Sequence, residues 1–254
     1  MPKNNRYGWK RDLPDFRDMK FESVMEVQSL STLPSSVDLR PGMPAVYDQS
    51  SLGACTAHAI AAAVEYDLKK EKLPDFMPSR LFIYYNEREM EGTINQDAGA
   101  MIRDGIKSLN TKGVCHENLM PYVISKFKNK PSQAAYKDAL LHNKVSYLSV
   151  AQNEQSLKSA LASGFPVVFG FSVYESFESE DVAKTGIVNM PDKSEGNLGG
   201  HAVLCVGYDD ATKRVTVRNS WGAEWGMQGY FTMPYDYILN PDLADDFWTL
   251  KSIN

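Results

Sequence analysis

The stretch Asp48-Gln49-Ser50-Ser51-Leu52-Gly53-Ala54-Cys55-Thr56-Ala57-His58 constrains this chain more than any other. A Gly-containing turn leads straight into an alanine-rich run. There Ala57, Ile60, Ala61, Val64 and Leu68 keep helical spacing, so a helix buried along one face is expected. Cys55 falls at the start of that helix, beside unpaired backbone N–H groups and the positive end of the helix dipole. Both stabilise a thiolate, the nucleophilic form of cysteine. A cysteine taken at random is more often a small buried hydrophobe, so the case for chemistry rests on segments far downstream.

Two such segments are present. Gly199-Gly200-His201-Ala202-Val203-Leu204-Cys205-Val206-Gly207-Tyr208 reads as a strand that begins at a histidine after two glycines. Val215-Thr216-Val217-Arg218-Asn219-Ser220-Trp221-Gly222 reads as another, running into a loop with Trp225, Gly226, Gly229 and Tyr230. Gln49 precedes Cys55 by six positions, His201 follows it by 146, and Asn219 lies 18 beyond His201. On these residues the chain resembles the papain family of cysteine peptidases, whose spacing is matched here rather than predicted. The resemblance covers roughly Leu33 to the C-terminus. It implies an α+β, papain-like fold of two subdomains, a helical half and a β-barrel-like half, with the active-site cleft between them. It also implies the roles. Cys55 attacks a peptide carbonyl and forms an acyl-enzyme, and His201 is its ion-pair partner and then general acid. Asn219 orients the imidazole under Trp221. Gln49 and the backbone N–H of Cys55 stabilise the oxyanion.

Whole-chain properties bound the alternatives. The 254 residues suffice for one large domain or two subdomains. A net charge of −5 and a pI near 5.5 favour neither nucleic acid nor an anionic membrane as partner; the peptide or protein substrate is what the resemblance implies. No apolar run approaches a membrane span, and Met1-Pro2-Lys3-Asn4-Asn5 does not lead into a signal-peptide core. Three cysteines cannot pair completely, and Leu52 stands where secreted relatives begin a disulfide. A fold stable without disulfides in a reducing, cytoplasmic compartment is therefore expected, unless a signal was trimmed.

Residues 1–32 read as an irregular, charge-dense arm with aromatics at Tyr7, Trp9, Phe16 and Phe21. It is too short for the helix-containing prosegment of papain relatives but long enough to reach the cleft. A short inhibitory prosegment is one reading and a strut on a remote face the other. Residues 33–254 would form the peptidase domain, helical over about 50–142 and β-rich over about 143–254. Helices are expected at Ser79–Arg88, Asp97–Leu109, Ser132–Leu141 and Glu154–Ala162, the last capped by Asn153 and ended by Gly164. Strands are expected at Val145–Val150, Pro166–Val173, His201–Tyr208, Arg214–Asn219, Gly229–Met233 and Phe247–Ile253. Helices first and strands second indicate α+β.

Alternation offers a test free of any family. Val215, Val217 and Asn219 share one face of their strand, and Arg214, Thr216 and Arg218 the other. With the arginine face in water, Asn219 points inward, where it needs hydrogen-bond partners. His58 shares a helix face with Cys55 but reads better as a satisfied, partly buried side chain than as the catalytic base. Cys205 reads as core packing. Cys115-His116 is a loop pair that no metal-binding spacing joins to anything else, so neither metal nor cofactor is assigned.

Departures from the family pattern are Thr56, where an aromatic usually follows the nucleophile, Gly200 before the histidine, and Gln96-Asp97-Ala98-Gly99 along the cleft. By the same resemblance Ala98 and Gly99 would line the substrate path with Trp221 and Trp225. Met101, Gly170 and Ala202 would form a small, apolar pocket for the residue two before the scissile bond. A catalytically silent peptide-binding homologue and a papain-fold acyl transferase are the alternative functions.

Overall fold

The computed structural model describes residues 7–25, 27–29, 31–143 and 145–252; the readings at Met1–Asn5 and Ile253 lie outside them. In chain order the elements are β1 (Trp9–Lys10), α1 (Phe21–Val24), β2 (Ser36–Asp38), α2 (Cys55–Lys70) and α3 (Arg80–Met90). Next come β3 (Ala100–Met101), α4 (Ile102–Lys112), α5 (Gln133–Ala139), β4 (Val145–Ser149), α6 (Glu154–Ala162) and β5 (Val167–Tyr174). The chain finishes with α7 (Glu180–Thr185), β6 (Asn197–Asp209), β7 (Arg214–Arg218), β8 (Tyr230–Pro234), α8 (Tyr235–Ile238) and β9 (Ala244–Ser252). The strands β4-β9-β5-β6-β7-β8 pair in that order, all antiparallel. β2 adds to the last residues of β6, beyond the end of β5.

The helix that opens at Cys55 is buried all round from Cys55 through Asp67, not along one face. Its alanines are the reason. Without bulk, the helix fits between β6 and β9 on one side and α3 and α4 on the other, and this places the Cys55 end against the His201 strand. The helix expected at Asp97–Leu109 begins only at Ile102. Gly99 has φ +68°, and Ala100 and Met101 are drawn into parallel pairing with Trp9 and Lys10. β6 starts four residues earlier than expected, because Asn197–Gly200 pair with β5 although glycines there read as a turn.

The arginine face of β7 is only partly wet: Arg214 and Thr216 are half-buried, and Arg218 is dry. Arg218 is 3% exposed and donates to Pro44 O, Ala45 O and the Tyr230 hydroxyl, its guanidinium lying 5.1 Å from the Tyr47 ring centre. Carbonyl oxygens on a fixed fork of N–H donors do what water would have done. Asn219 is nevertheless buried, so the inference drawn from alternation holds although one of its premises fails.

The N-terminal arm is divided by its aromatics. Phe21 is fully buried in the β-rich core, edge-on to Phe165, whereas Phe16 is 98% exposed. Tyr7 and Trp9 lie across the junction of the two halves. None of the helices among the described residues is long and apolar enough to cross a membrane, and Cys55, Cys115 and Cys205 are all buried and free.

Candidate active site

His201, on β6, is fully buried. Its Nε2 lies 2.8 Å from Asn219 Oδ1, just past the end of β7. The Ser220 backbone N–H donates to that same Oδ1 at 2.8 Å. A peptide N–H can only donate, so the shared atom is the amide oxygen and His201 Nε2 must carry the hydrogen. The lone pair then sits on Nδ1, which has no hydrogen-bond partner among the described residues. Trp221 stacks on the imidazole at 5.2 Å and excludes water from the His201–Asn219 bond, which strengthens it. Trp221 is backed by Trp225 and by Phe177, a residue that nothing in the sequence marked for this cluster.

Cys55 Sγ accepts the Ala202 N–H at 3.4 Å, which seats the sulfur beside the residue after His201. Backbone N–H groups of Gly8 and Thr56 also point at it. The helix start was expected to lower the thiol's pKa. Burial acts against it, pushing Cys55 up to about 11 and His201 down to about 4. Desolvation disfavours both charges and here outweighs the helix end.

Gln49 is fully buried, its Oε1 accepting from the Ser220 hydroxyl at 2.6 Å and its Nε2 donating to Leu52 O at 2.9 Å. Ser220 thus orients both amides, Asn219 through its N–H and Gln49 through its hydroxyl. His58 is 1% exposed, more deeply placed than expected, with Nδ1 2.8 Å from Ala54 O and its ring 4.7 Å from Tyr122. Because a carbonyl only accepts, this Nδ1 is the donor. Thr56 donates to Glu87 Oε1 at 2.7 Å, a polar contact in place of the aromatic packing usual behind the nucleophile. Cys205 packs in the core as expected.

The cleft wall opposite is braced by residues that patterning did not single out. Asp97 Oδ1 accepts from Gly53 N at 3.0 Å and from the Tyr84 hydroxyl at 2.5 Å, tying the Ala98–Gly99 segment to the turn before Cys55. Buried Arg88 donates to the carbonyls of Ile94, Gln96 and Phe127. The family resemblance places Asp97 along the cleft within Gln96–Gly99; its bracing role shows only in the fold.

The arm runs past these residues. Ala100 N–H donates to Gly8 O at 2.8 Å, and Tyr7 meets His201 edge-on at 5.9 Å while its hydroxyl donates to Glu178. The Trp9 indole lies flat on two bare backbone positions. A Cβ on Gly170 would stand 1.9 Å from Trp9 Cε2, and one on Gly200 would stand 2.6 Å from Trp9 Cε3. Gly200, the departure from family pattern before the histidine, is thus required by Trp9. Ala202 packs in the same cluster, and Met101 pairs with Lys10. Farther along, Asp12 accepts from Trp248 Nε1 and Arg103 N, and Asp246 accepts from Trp9 Nε1 and Asp12 N. Arg11 pairs with Asp245 and Asp18 with Arg103, whereas Arg17 pairs with Asp15 of the arm itself.

His116, written off as a loop residue, has Nδ1 2.8 Å from Asp138 Oδ2, with His142 beside them. The missed signal was Asp138 and His142 at i, i+4, which share a helix face.

Comparison with known proteins agrees with this arrangement. The profile of the papain family cysteine proteases matches residues 33–242. The crystal structure of xylellain, a cysteine protease from Xylella fastidiosa, superposes with a TM-score of 0.92 at 44% identity, covering 100% of this chain and 98% of that one. An uncharacterised peptidase C1-like protein of Acanthamoeba polyphaga mimivirus is 44% identical over 91% of this chain and 75% of its own length. Human cathepsin L2 is 30% identical over 87% and 67% respectively. The disulfide-free α+β chain described here belongs to the papain family of cysteine proteases.

Proposed function

We propose that this protein hydrolyses peptide bonds through Cys55, with His201, Asn219 and Gln49 in the roles their geometry supports. The hydrogen bond from His201 Nε2 to Asn219 carries the reading, because it leaves Nδ1 as the basic nitrogen. The Cys55 proton passes to Nδ1 as sulfur attacks the carbonyl carbon. His201 returns it to the amine as the C–N bond breaks, and water then releases the acyl group by the reverse transfers. The Gln49 amide and the Cys55 N–H are the donors to the oxyanion, and loss of one such donor costs on the order of 10²–10³ in kcat. A fluorogenic peptide library incubated with wild type and Cys55→Ala tests the assignment. Hydrolysis by the first alone supports it; equal turnover, or ligated products by mass spectrometry, refutes hydrolysis at Cys55.

We read residues 1–32 as an arm that silences this site, and 33–254 as the peptidase domain with helical (about 50–142) and β-rich (about 143–254) halves. Three observations favour a lid over a strut. The Ala100–Gly8 hydrogen bond holds the arm as an added strand, the way an extended peptide docks on a sheet edge. Trp9 fills the space over Gly170 and Gly200 beside Ala202, which favours a large apolar side chain at that substrate position. Gly8 turns its backbone N–H toward Cys55 Sγ, so the arm passes directly over the nucleophile. On this reading Ala98, Gly99 and Met101 flank the substrate backbone, and Trp221 and Trp225 lie beyond the histidine.

A further inference from the structure

The chain has four histidines. His58 and His201 are buried at the catalytic junction. The other two lie 26 positions apart in sequence, yet their rings come within 5.2 Å of each other on the far side of the helical half. Asp138 joins them from the end of α5. One ligand atom from each of His116, Asp138 and His142 falls within 4.8 Å of the others. Phe76 packs against both imidazoles, at 4.2 and 4.4 Å, closing one side of the cluster with an apolar ring. The opposite side is open, for the His116 side chain is 40% exposed and that of Asp138 22%.

We propose that His116, Asp138 and His142 form a zinc site. Two imidazoles and one carboxylate are a ligand set suited to Zn²⁺, with bonds of about 2.0–2.2 Å and a fourth position left for water. Hard cations such as Ca²⁺ and Mg²⁺ favour all-oxygen ligands and are poorly served here. Tetrahedral geometry sets ligand atoms about 3.3 Å apart. The 2.8 Å contact between His116 Nδ1 and Asp138 therefore opens by about half an ångström as the metal replaces the hydrogen there, and the widest separation closes by side-chain rotation. Asp138 is already oriented by the His116 backbone N–H at 2.9 Å, so part of the site is built before metal arrives.

The ion would clip His116 to the end of α5, closing a loop that includes Tyr122. The Tyr122 hydroxyl donates to Gln49 O at 2.9 Å, so the clip stiffens the loop that supports the catalytic turn from behind. The role is structural, and this proposal stands whether or not the arm is inhibitory.

The test uses the full chain with Cys55→Ser, which removes the proposed nucleophile as a competing ligand, while Cys115 and Cys205 are buried. Calorimetric titration with Zn²⁺ should show one ion per chain with a Kd below about 100 µM, and the same ion should raise the melting temperature. Co²⁺ should give the visible absorption of a tetrahedral site. Adding His142→Ala or His116→Ala should weaken binding more than about tenfold, since even loss of a group supporting a ligand costs 10–100-fold. His142 lies in a partly exposed turn, so its variant is expected to fold. A weaker Kd in the parent, or binding undiminished in both variants, overturns the proposal.

Discussion

Two histidines sit a short way apart at the junction of the halves, and both are almost wholly buried. In each, one nitrogen is bonded and the other is without a partner among the described residues. Burial pushes both down, His58 to about 3 and His201 to about 4. The difference lies in what buries them. His58 is enclosed by permanent core, with Tyr47 and Tyr122 against its ring and the Arg80 and Arg218 charges adding to its neutrality. His201 is enclosed partly by core, with Phe171, Phe177 and Trp221 against its ring, and partly by Tyr7 of the arm. On the proposed reading of the arm, the same depth is fixed in one case and partly removable in the other.

The largest effect should come from erasing the contrast outright. Cys55→Ala and His201→Ala are each expected to lower kcat/KM by on the order of 10⁴–10⁶, while His58→Ala keeps substantial activity in the folded fraction. Equal loss from both histidine variants, with the fold intact, would put the base in the wrong place.

Removing the lid sharpens the comparison. Deleting all of residues 1–32 would also strip Phe21 from the core, at about 1.5–3 kcal/mol, so deletion of residues 1–13 is the cleaner test. It should raise kcat/KM about tenfold or more, since a tethered competitor acts at millimolar effective concentration. Phe16→Ala, at an exposed position, should change nothing. If only the melting temperature moves, the arm is a strut.

Thiol titration follows the same logic. In the full chain Cys55 should alkylate as a thiol of pKa about 11. In the 1–13 deletion, with water returned and the helix N-terminus and His201 close by, the value should fall below about 8.5. A truncated enzyme still titrating high would show that the permanent core, not the arm, sets the thiol.

The smallest expected effect is the pH dependence of docking. Asp12 and Asp246 meet where the arm crosses β9; burial raises both, and the neighbouring Asp246 charge adds to the rise of Asp12. Arg103 opposes that rise for both, while Asp245 adds to it for Asp246. A raised carboxyl favours the docked state while protonated, so that stabilisation is full in acid and is lost as pH climbs from the carboxylate range toward neutrality. Activity of the full chain should gain several-fold over that interval beyond the gain of the 1–13 deletion. Asp246→Asn should flatten it, because asparagine tolerates the local φ of +58° and keeps an oxygen for Trp9 Nε1 and Asp12 N. An unaltered profile in that variant would remove the pair from the latch.

Much of this was legible in the chain. The alanine run announced a buried helix because small side chains repeat at helical spacing, and short-range periodicity survives folding. Gln49, Cys55, His201 and Asn219 stood out because one site collects scarce residue types at separations that a scaffold imposes. What the sequence could not disclose were properties set by partners distant along the chain. Arg218 is dry because Pro44 and Ala45 turn carbonyls toward it. Gly200 is bare because Trp9 lies on it. Cys55 and His201 are pushed toward their neutral forms because burial strips water from both, and His116 meets His142 only once α5 has packed. The identity of the reacting groups belongs to the sequence, since no fold can supply a thiol or an imidazole that the chain lacks. Their charge state and accessibility belong to the tertiary structure, since both depend on how much water is left around them.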